Sequence, residues 1–209
     1  MLGTALAFAC PAAAPAADTG GAEYGTASTA GRHALLGSRV SFRGEARRGT
    51  RVAVQRLDDG AWTTVATALA GRDGKYVARW RTNHIGVFDM RTVSLANAAS
   101  VRASGVEEPE HLTVYKQAGA TWFGRGLYGH KTACGQTLSP HLMGVAHRTL
   151  PCGTKVAFLY KGRTITVPVV DRGPFGAGLS WDLTTAAADA LGFVEEGRVT
   201  LGAVSLHRK

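Results

Sequence analysis

From Arg39 onward the chain alternates apolar and polar residues in short runs: Val40 and Phe42; Val52 and Val54; Trp62 and Val65; Tyr76, Ala78 and Trp80; Phe88 and Met90; then Leu112 and Val114. Period-two alternation buries one side of each run, so these segments are expected as strands. Asp58-Asp59-Gly60 and Asp73-Gly74 separate successive runs and read as hairpin turns. Short strands at roughly ten-residue spacing predict a small β-sandwich over residues 32–117, with Trp62 and Trp80 read as core residues in preference to a carbohydrate platform. Ser104–Glu110 reads as a loop and His111–Tyr115 as the last strand. The short polar stretch Lys116–Gly119 marks the boundary to a second domain, residues 118–209.

The second half has a different texture. Between Ala120 and Tyr160 many glycines sit among aromatic residues, which suits tight turns in a small barrel. Val156, Phe158 and Tyr160 alternate, Lys161-Gly162 turns, and Ile165, Val167 and Val169 alternate back, which predicts a hairpin. Leu183, Ala187 and Leu191 share a helical face, with Thr184 or Thr185 as N-cap and Gly192 as the stop. A strand from Val199 to Leu206 ends the domain. The fold class expected is all-β with one short helix.

Composition narrows the compartment. The first residues, MLGTALAFACPAAAPAADTG, hold a short apolar core followed by small residues, the pattern of a signal peptide over 1–17 that lacks its basic start. The apolar run is far short of the roughly 20 residues of a membrane span. A lipid anchor on Cys10 is a minor alternative, opposed by the bulky Phe8. Residues 18–31 are small, polar and glycine-rich, a flexible lead-in. Once the leader leaves with Cys10, Cys134 and Cys152 remain and are expected to form a disulfide in an oxidising compartment. The net charge of +9, from 24 Lys and Arg against 15 Asp and Glu, is spread along the sequence. With no basic block and no interleaved aromatics, nucleic-acid binding is not expected, although attraction to an anionic cell wall is compatible.

The candidate chemistry gathers in Thr164–Leu183, TITVPVVDRGPFGAGLSWDL. Asp171 stands where a buried strand runs out into a loop, and Trp181 and Asp182 add an aromatic ring and a second carboxylate. Two acids and a ring suggest a sugar site. The competing readings are a turn cap for Asp171 and a helix cap for Asp182. A thiol peptidase built on His147 and a cysteine is set aside because the cysteines pair. Zinc held by His130, His141, His147 and a cysteine lacks paired-ligand spacing, so neither metal nor cofactor is expected.

The segments ATWFGRGLYGHKTACGQ, VAHRTLPCGTKV, VPVVDRGPF and WDLTTAAADALG, in this order over about residues 118–206, resemble the RlpA-like double-psi β-barrel proteins of the bacterial cell envelope. The resemblance implies a six-stranded barrel with a polysaccharide groove, related to expansin and family 45 cellulase barrels. It also implies an extracytoplasmic protein acting on peptidoglycan or another wall polysaccharide, as a lytic transglycosylase or as a wall-binding or wall-loosening module. By the same resemblance Asp171 is the general acid and base, His147 its partner, and Asp182 a second acid. Trp122, Phe123, Tyr128, Gln136, Arg172 and Trp181 are the candidate substrate contacts. Gln136 departs from the family, where a glutamate is common, and an amide does not titrate. Desolvation by Val169, Val170 and Phe175 is expected to raise the Asp171 pKa. The first domain resembles, in pattern only, the immunoglobulin-like modules of exported bacterial enzymes.

Overall fold

The computed structural model describes residues 31–95 and 110–206. The expected leader, nearly all of the lead-in and most of the 104–110 loop lie outside the described residues.

The alternating runs of the N-terminal β-region become strands. Arg32–Leu35 (β1), Arg39–Glu45 (β2), Arg51–Asp58 (β3), Ala61–Leu69 (β4), Lys75–Arg81 (β5) and Gly86–Ser94 (β6) precede the long strand Glu110–Phe123 (β7). β4, β3, β6 and β7 pair antiparallel in that order, β1 lies parallel on β7, and β2 and β5 make a separate two-stranded sheet. Alternation sends Val40, Phe42, Ala78 and Trp80 of the small sheet inward, against Val54, Met90, Leu112 and Val114 of the larger one.

Asp59 (φ 46°) and Gly60 (φ 83°) close β3 onto β4 as a tight hairpin, which requires positive φ at both central residues. The turn at Asp73-Gly74 is not a ladder hairpin. After it β5 leaves β4 and pairs with β2 instead, so the turn crosses between sheets. Trp80 is a core residue, whereas Trp62 is half-buried with the Arg91 guanidinium 4.1 Å from its ring centre.

The strand expected to stop at Tyr115 does not stop there. β7 continues through Lys116–Gly119 to Phe123 because that polar stretch has its own partners. Its first half pairs with β6 and β1, and its second half with the last strand of the chain and with the segment before the helix.

That second half of β7 is one stave of a barrel. The others are Val145–Ala146 (β8), Lys155–Tyr160 (β9), Arg163–Asp171 (β10), Trp181–Thr184 (β11) and Val199–Ser205 (β12). They run β11-β8-β10-β9-β12-β7, and a parallel pairing of β11 with β7 closes the ring. β8 also lies parallel to β10, while the other barrel ladders are antiparallel, so the six-stranded barrel is mixed. Lys161 and Gly162, both at positive φ, turn β9 into β10 as the hairpin pattern foretold. Val156, Phe158, Val169, Leu183, Leu191 and Phe193 lie in its core. Removing a side chain of the size of Phe158 from water contributes about 1.5–3 kcal/mol.

The helix Thr185–Leu191 (α1) follows β11 without a break. Thr184 caps it by accepting from the Ala187 N–H, and Gly192 ends it in the left-handed conformation (φ 78°). Ala187, Ala188 and Leu191 face the barrel core.

A third buried cluster joins the two regions: Tyr115, Ala157 and Val204, with Leu35, Leu159 and Leu206 against it. Burial pushes the Tyr115 phenol up to about 12, so it stays protonated and faces His33 Nδ1 at 2.9 Å. Gly202 makes the approach possible, because a Cβ there would lie 2.8 Å from Tyr115 Cβ and 3.0 Å from Leu35 Cδ2. Gly202→Val is therefore expected to cost about 1–3 kcal/mol of stability, read as a lower urea midpoint. An unchanged midpoint would mean that both Tyr115 of β7 and Leu35 of β1 yield at this contact without cost.

Candidate functional site

The site begins with an irregularity in β10. Val169 pairs with Val145 and Asp171 with Ala146, so two steps on β10 match one on β8. Val170 is the extra residue of this bulge, which bends the strand and re-aims the residue after it. It occupies space that Gly144 leaves open, since a Cβ on Gly144 would collide with the Val170 side chain. The disulfide holds this irregularity from both sides. Cys134 N–H donates to the Val170 carbonyl (3.3 Å) and Gly153 N–H to the Val169 carbonyl (2.8 Å), and Cys134 is bonded to Cys152 with their Cα atoms 5.7 Å apart.

With the bulge in place, Asp171 lies across Ala146 from Asp182, because Ala146 pairs with both. The row continues to Thr121 of β7. Trp181 and Leu183, which flank Asp182, point into the core, so by alternation Asp182 points outward. Two strand spacings put the acid Cα atoms about 10 Å apart with only a methyl group between.

The two carboxylates sit in different surroundings. Asp171 Oδ1 accepts from the backbone N–H groups of Ala133 and Arg172, both at 2.8 Å. Asp182 Oδ1 is buried without a hydrogen-bond partner. Burial, and then the charge of Asp171, push the Asp182 pKa from 3.8 up to about 6. Thr184 is the helix cap, as expected, so the competing reading of Asp182 as a cap does not hold and the acid belongs to β11. Phe175 does not bury Asp171 as expected, for the residue is 81% exposed.

His147 leaves β8 beside Ala146, and its N–H donates to the Asp171 carbonyl (3.1 Å). Its Nδ1 accepts from the Thr149 and Leu150 N–H groups (3.2 and 3.0 Å), which places the ring proton on Nε2 as a free donor. Burial, with Arg148 and Arg172 nearby, holds its pKa below the usual histidine value. The imidazole leans on Trp181, ring centres 4.6 Å apart. Trp181 is itself 8% exposed and packs edge-on to Phe158, so it is the floor under His147 rather than an open platform.

Arg172 turns away from solvent. It donates to the carbonyls of His147 (3.3 Å) and Leu150 (2.9 Å) and reaches Cys152 Sγ (3.4 Å), bracing the loop that carries His147. Arg148 does the same for the loop after Asp171, donating to the carbonyls of Pro174, Gly176 and Leu179. Phe175 therefore stands exposed on a pinned loop four residues beyond Asp171, a position the sequence pattern gave no reason to single out as a contact surface.

The remaining candidates lie further round the barrel. Trp122 is half-buried and donates its indole N–H to the Val194 carbonyl. Phe123 ends β7, its carbonyl accepting from Thr185. Tyr128 donates to Thr185 Oγ1 (3.2 Å) and lines a separate cavity of about 580 Å³ with Arg125, His141 and Asp189. This cavity includes neither Asp171 nor Asp182, so its size does not make it the site of the paired acids. Gln136 is exposed, its amide oxygen accepting from the Thr132 hydroxyl.

Fold and site together define a small closed mixed barrel with paired carboxylates on its outer face. Residues 115–202 match the family model of the double-psi barrel lytic transglycolases. A probable endolytic peptidoglycan transglycosylase RlpA of Aquifex aeolicus is 42% identical over 97 residues, covering 45% of this chain and 41% of that protein. The corresponding protein of Synechocystis sp. is 42% identical over 80 residues, covering 37% of this chain and 25% of that one. Among solved structures, an apo expansin of Clavibacter michiganensis matches at 23% identity and a TM-score of 0.37, over 44% of this chain and 50% of that one. Residues 115–202 are an RlpA-like double-psi β-barrel domain of the lytic transglycosylase family. The chain spans less than half the length of these curated relatives.

The raised pKa of Asp182 carries a stability signature. The folded chain holds this proton more tightly than the unfolded one, so folding takes up a proton between about pH 4 and pH 6. Stability attributable to Asp182 is present at the acid end of this window, is lost as pH rises through about 6, and stays lost above it. Asp182→Asn is expected to remove this decline and stabilise the protein at pH 8 by about 1 kcal/mol, partial exposure being discounted. Urea unfolding at pH 4 and pH 8 reads the difference. A helix cap would give the opposite sign at pH 8.

Proposed function

We propose that this chain is an extracytoplasmic lytic transglycosylase of peptidoglycan, with Asp182 as the proton carrier and Asp171 as its anionic partner. The observation that carries the reading is the buried, unpartnered Asp182 oxygen on a carboxyl pushed to about 6, set across Ala146 from a hydrogen-bonded carboxylate. Environment divides two like residues into an acid and an anion. The disulfide and the RlpA relatives support the compartment and the substrate class.

The chemistry follows from that division. Protonated Asp182 gives its proton to the glycosidic oxygen as the bond to the muramic C1 breaks. Positive charge growing at C1 is balanced by Asp171, which Ala133 and Arg172 hold in place. The muramic C6 hydroxyl then attacks C1 and its proton passes to Asp182, restoring the acid. No water is consumed, and the product carries a 1,6-anhydro ring. His147 Nε2–H donates to a sugar hydroxyl, and Phe175 offers its face to a neighbouring ring.

A binding or wall-loosening module is the second reading, favoured by Gln136, whose amide does not titrate and so cannot serve as an acid or base. We also read the N-terminal β-region as an immunoglobulin-like sandwich, with the chain forming two domains that meet near 117/118. Two sheets enclosing their own buried cluster support this.

Mass spectrometry of purified peptidoglycan incubated with the protein is expected to show 1,6-anhydro-muramic ends, their yield falling above about pH 6. Asp182→Asn and Asp171→Asn are each expected to lower the rate by at least about 10²-fold while glycan binding persists. Wild-type protein that binds sacculi but releases no anhydro product would establish the module reading. Phe175→Ala is expected to raise KM about tenfold and leave kcat nearly unchanged, the scale of one aromatic contact. An unchanged KM would remove Phe175 from the groove.

A further inference from the structure

The positive charge that looks dispersed along the sequence is gathered by the fold onto one face. β2 and β5 pair in the register Arg39 with Arg81, Ser41 with Arg79, Arg43 with Val77 and Glu45 with Lys75. Because Val40, Phe42, Tyr76, Ala78 and Trp80 are buried, every one of the paired residues above lies on the outer side of this sheet, and all but the half-buried Ser41 are exposed. Five cations therefore stand with one carboxylate, Glu45.

The adjoining turns extend the patch. Ala46 N–H donates to the Gly74 carbonyl (2.8 Å) and Gly49 N–H to the Ala70 carbonyl (3.0 Å), which holds the β2–β3 turn against the β4–β5 turn. Arg47, Arg48 and Arg72 are exposed there, with Asp73 the one carboxylate of these turns.

Internal structure does not account for these charges. Among the described residues no carboxylate lies within ion-pair distance of Arg39, Arg43, Arg79 or Arg81, and only Arg81 bonds its guanidinium to anything, the Gly37 carbonyl (2.9 Å). Arg39 directly opposite Arg81 is a like-charge cross-strand pair, an arrangement that costs stability unless an anion lies over it. Same-side residues recur about every 7 Å along each strand, and cations hold five of these eight outer places, which suits a linear chain with repeating anions.

We propose that the outer face of the β2–β5 sheet docks a phosphodiester-linked polyanion attached to the cell wall. The compartment in this statement rests on the transglycosylase reading, while the charge complementarity does not. A linear polymer fits the face better than a bilayer, because Val77 is the one apolar side chain among the paired residues. Held there, the polymer keeps the barrel beside its glycan between cleavage events.

The test uses the full chain and soluble poly(glycerol phosphate), which contains no glycan and so reads docking separately from cleavage. Binding is expected to weaken linearly in log K against log salt. Arg39→Gln/Arg43→Gln/Arg79→Gln is expected to lower affinity at least tenfold at physiological salt and flatten the slope by about 2, the share of three phosphate contacts on a single chain. The corresponding triple Lys variant, which keeps the charge, is expected to retain binding and controls for folding. Production of anhydro ends is expected to be unchanged in both variants on wall stripped of phosphodiester polymer. The proposal is overturned if the Gln variant binds like wild type. It is equally overturned if wild type prefers phosphatidylglycerol vesicles or single-stranded oligothymidine to the polymer.

Discussion

The backbone pairing along β7 is the constraint on which the rest of this structure depends. A strand of 14 residues satisfies two independent sets of partners, β6 and β1 at one end and β12 and β11 at the other. The β11 pairing closes the barrel, and it also fixes where Asp182 lies. Were β11 not pinned between β7 and β8, the acid would have no fixed relation to Asp171, whose own position comes from the bulge in β10. The site is thus a product of sheet register rather than of a preformed pocket.

Within that frame, small differences in solvation separate two identical functional groups. Backbone N–H groups approach Asp171, whereas Asp182 is backed by the core and finds no donor for Oδ1. A proton carrier near neutral pH needs such a poorly solvated carboxyl, and a counter-charge needs a well-hydrogen-bonded one. The arginines nearby are spent on loop carbonyls, which keeps Arg172 from neutralising the site from inside.

Much of this was legible in the sequence, and the failures share a cause. The β9–β10 hairpin, the caps of α1, the pairing of Cys134 with Cys152 and the strands β2–β6 all follow from local signals: alternation, turn residues, an N-cap threonine and a cysteine count. The motifs single out Asp171, His147 and Asp182 as candidates, and the fold sets all three around Ala146, but the surroundings that distinguish the two acids come from the fold alone. What local signals do not encode is long-range pairing. β1, the continuation of β7 through Lys116–Gly119, the strand state of Trp181–Thr184 and the bulge at Val170 are all set by partners distant in sequence. Trp181 and Phe175 then exchange expected surroundings, the first buried and the second exposed, because loop placement and not residue type decides which ring meets water. The cationic face was invisible for the same reason, since β2 and β5 are separated by two strands of the other sheet.

The continuity of β7 has a mechanical consequence. A pull applied to the N-terminal β-region enters the barrel along the axis of a single strand, because β7 runs through both. The β7 ladders with β12 and β11 run along this axis, so their hydrogen bonds are strained together in shear instead of opening one after another from an end. Such a joint transmits tension to the segment carrying Thr121 and, through it, to the strand of Asp182. The N-terminal β-region and the barrel thus share one uninterrupted length of backbone, and a load on either is felt in the ladders of the other.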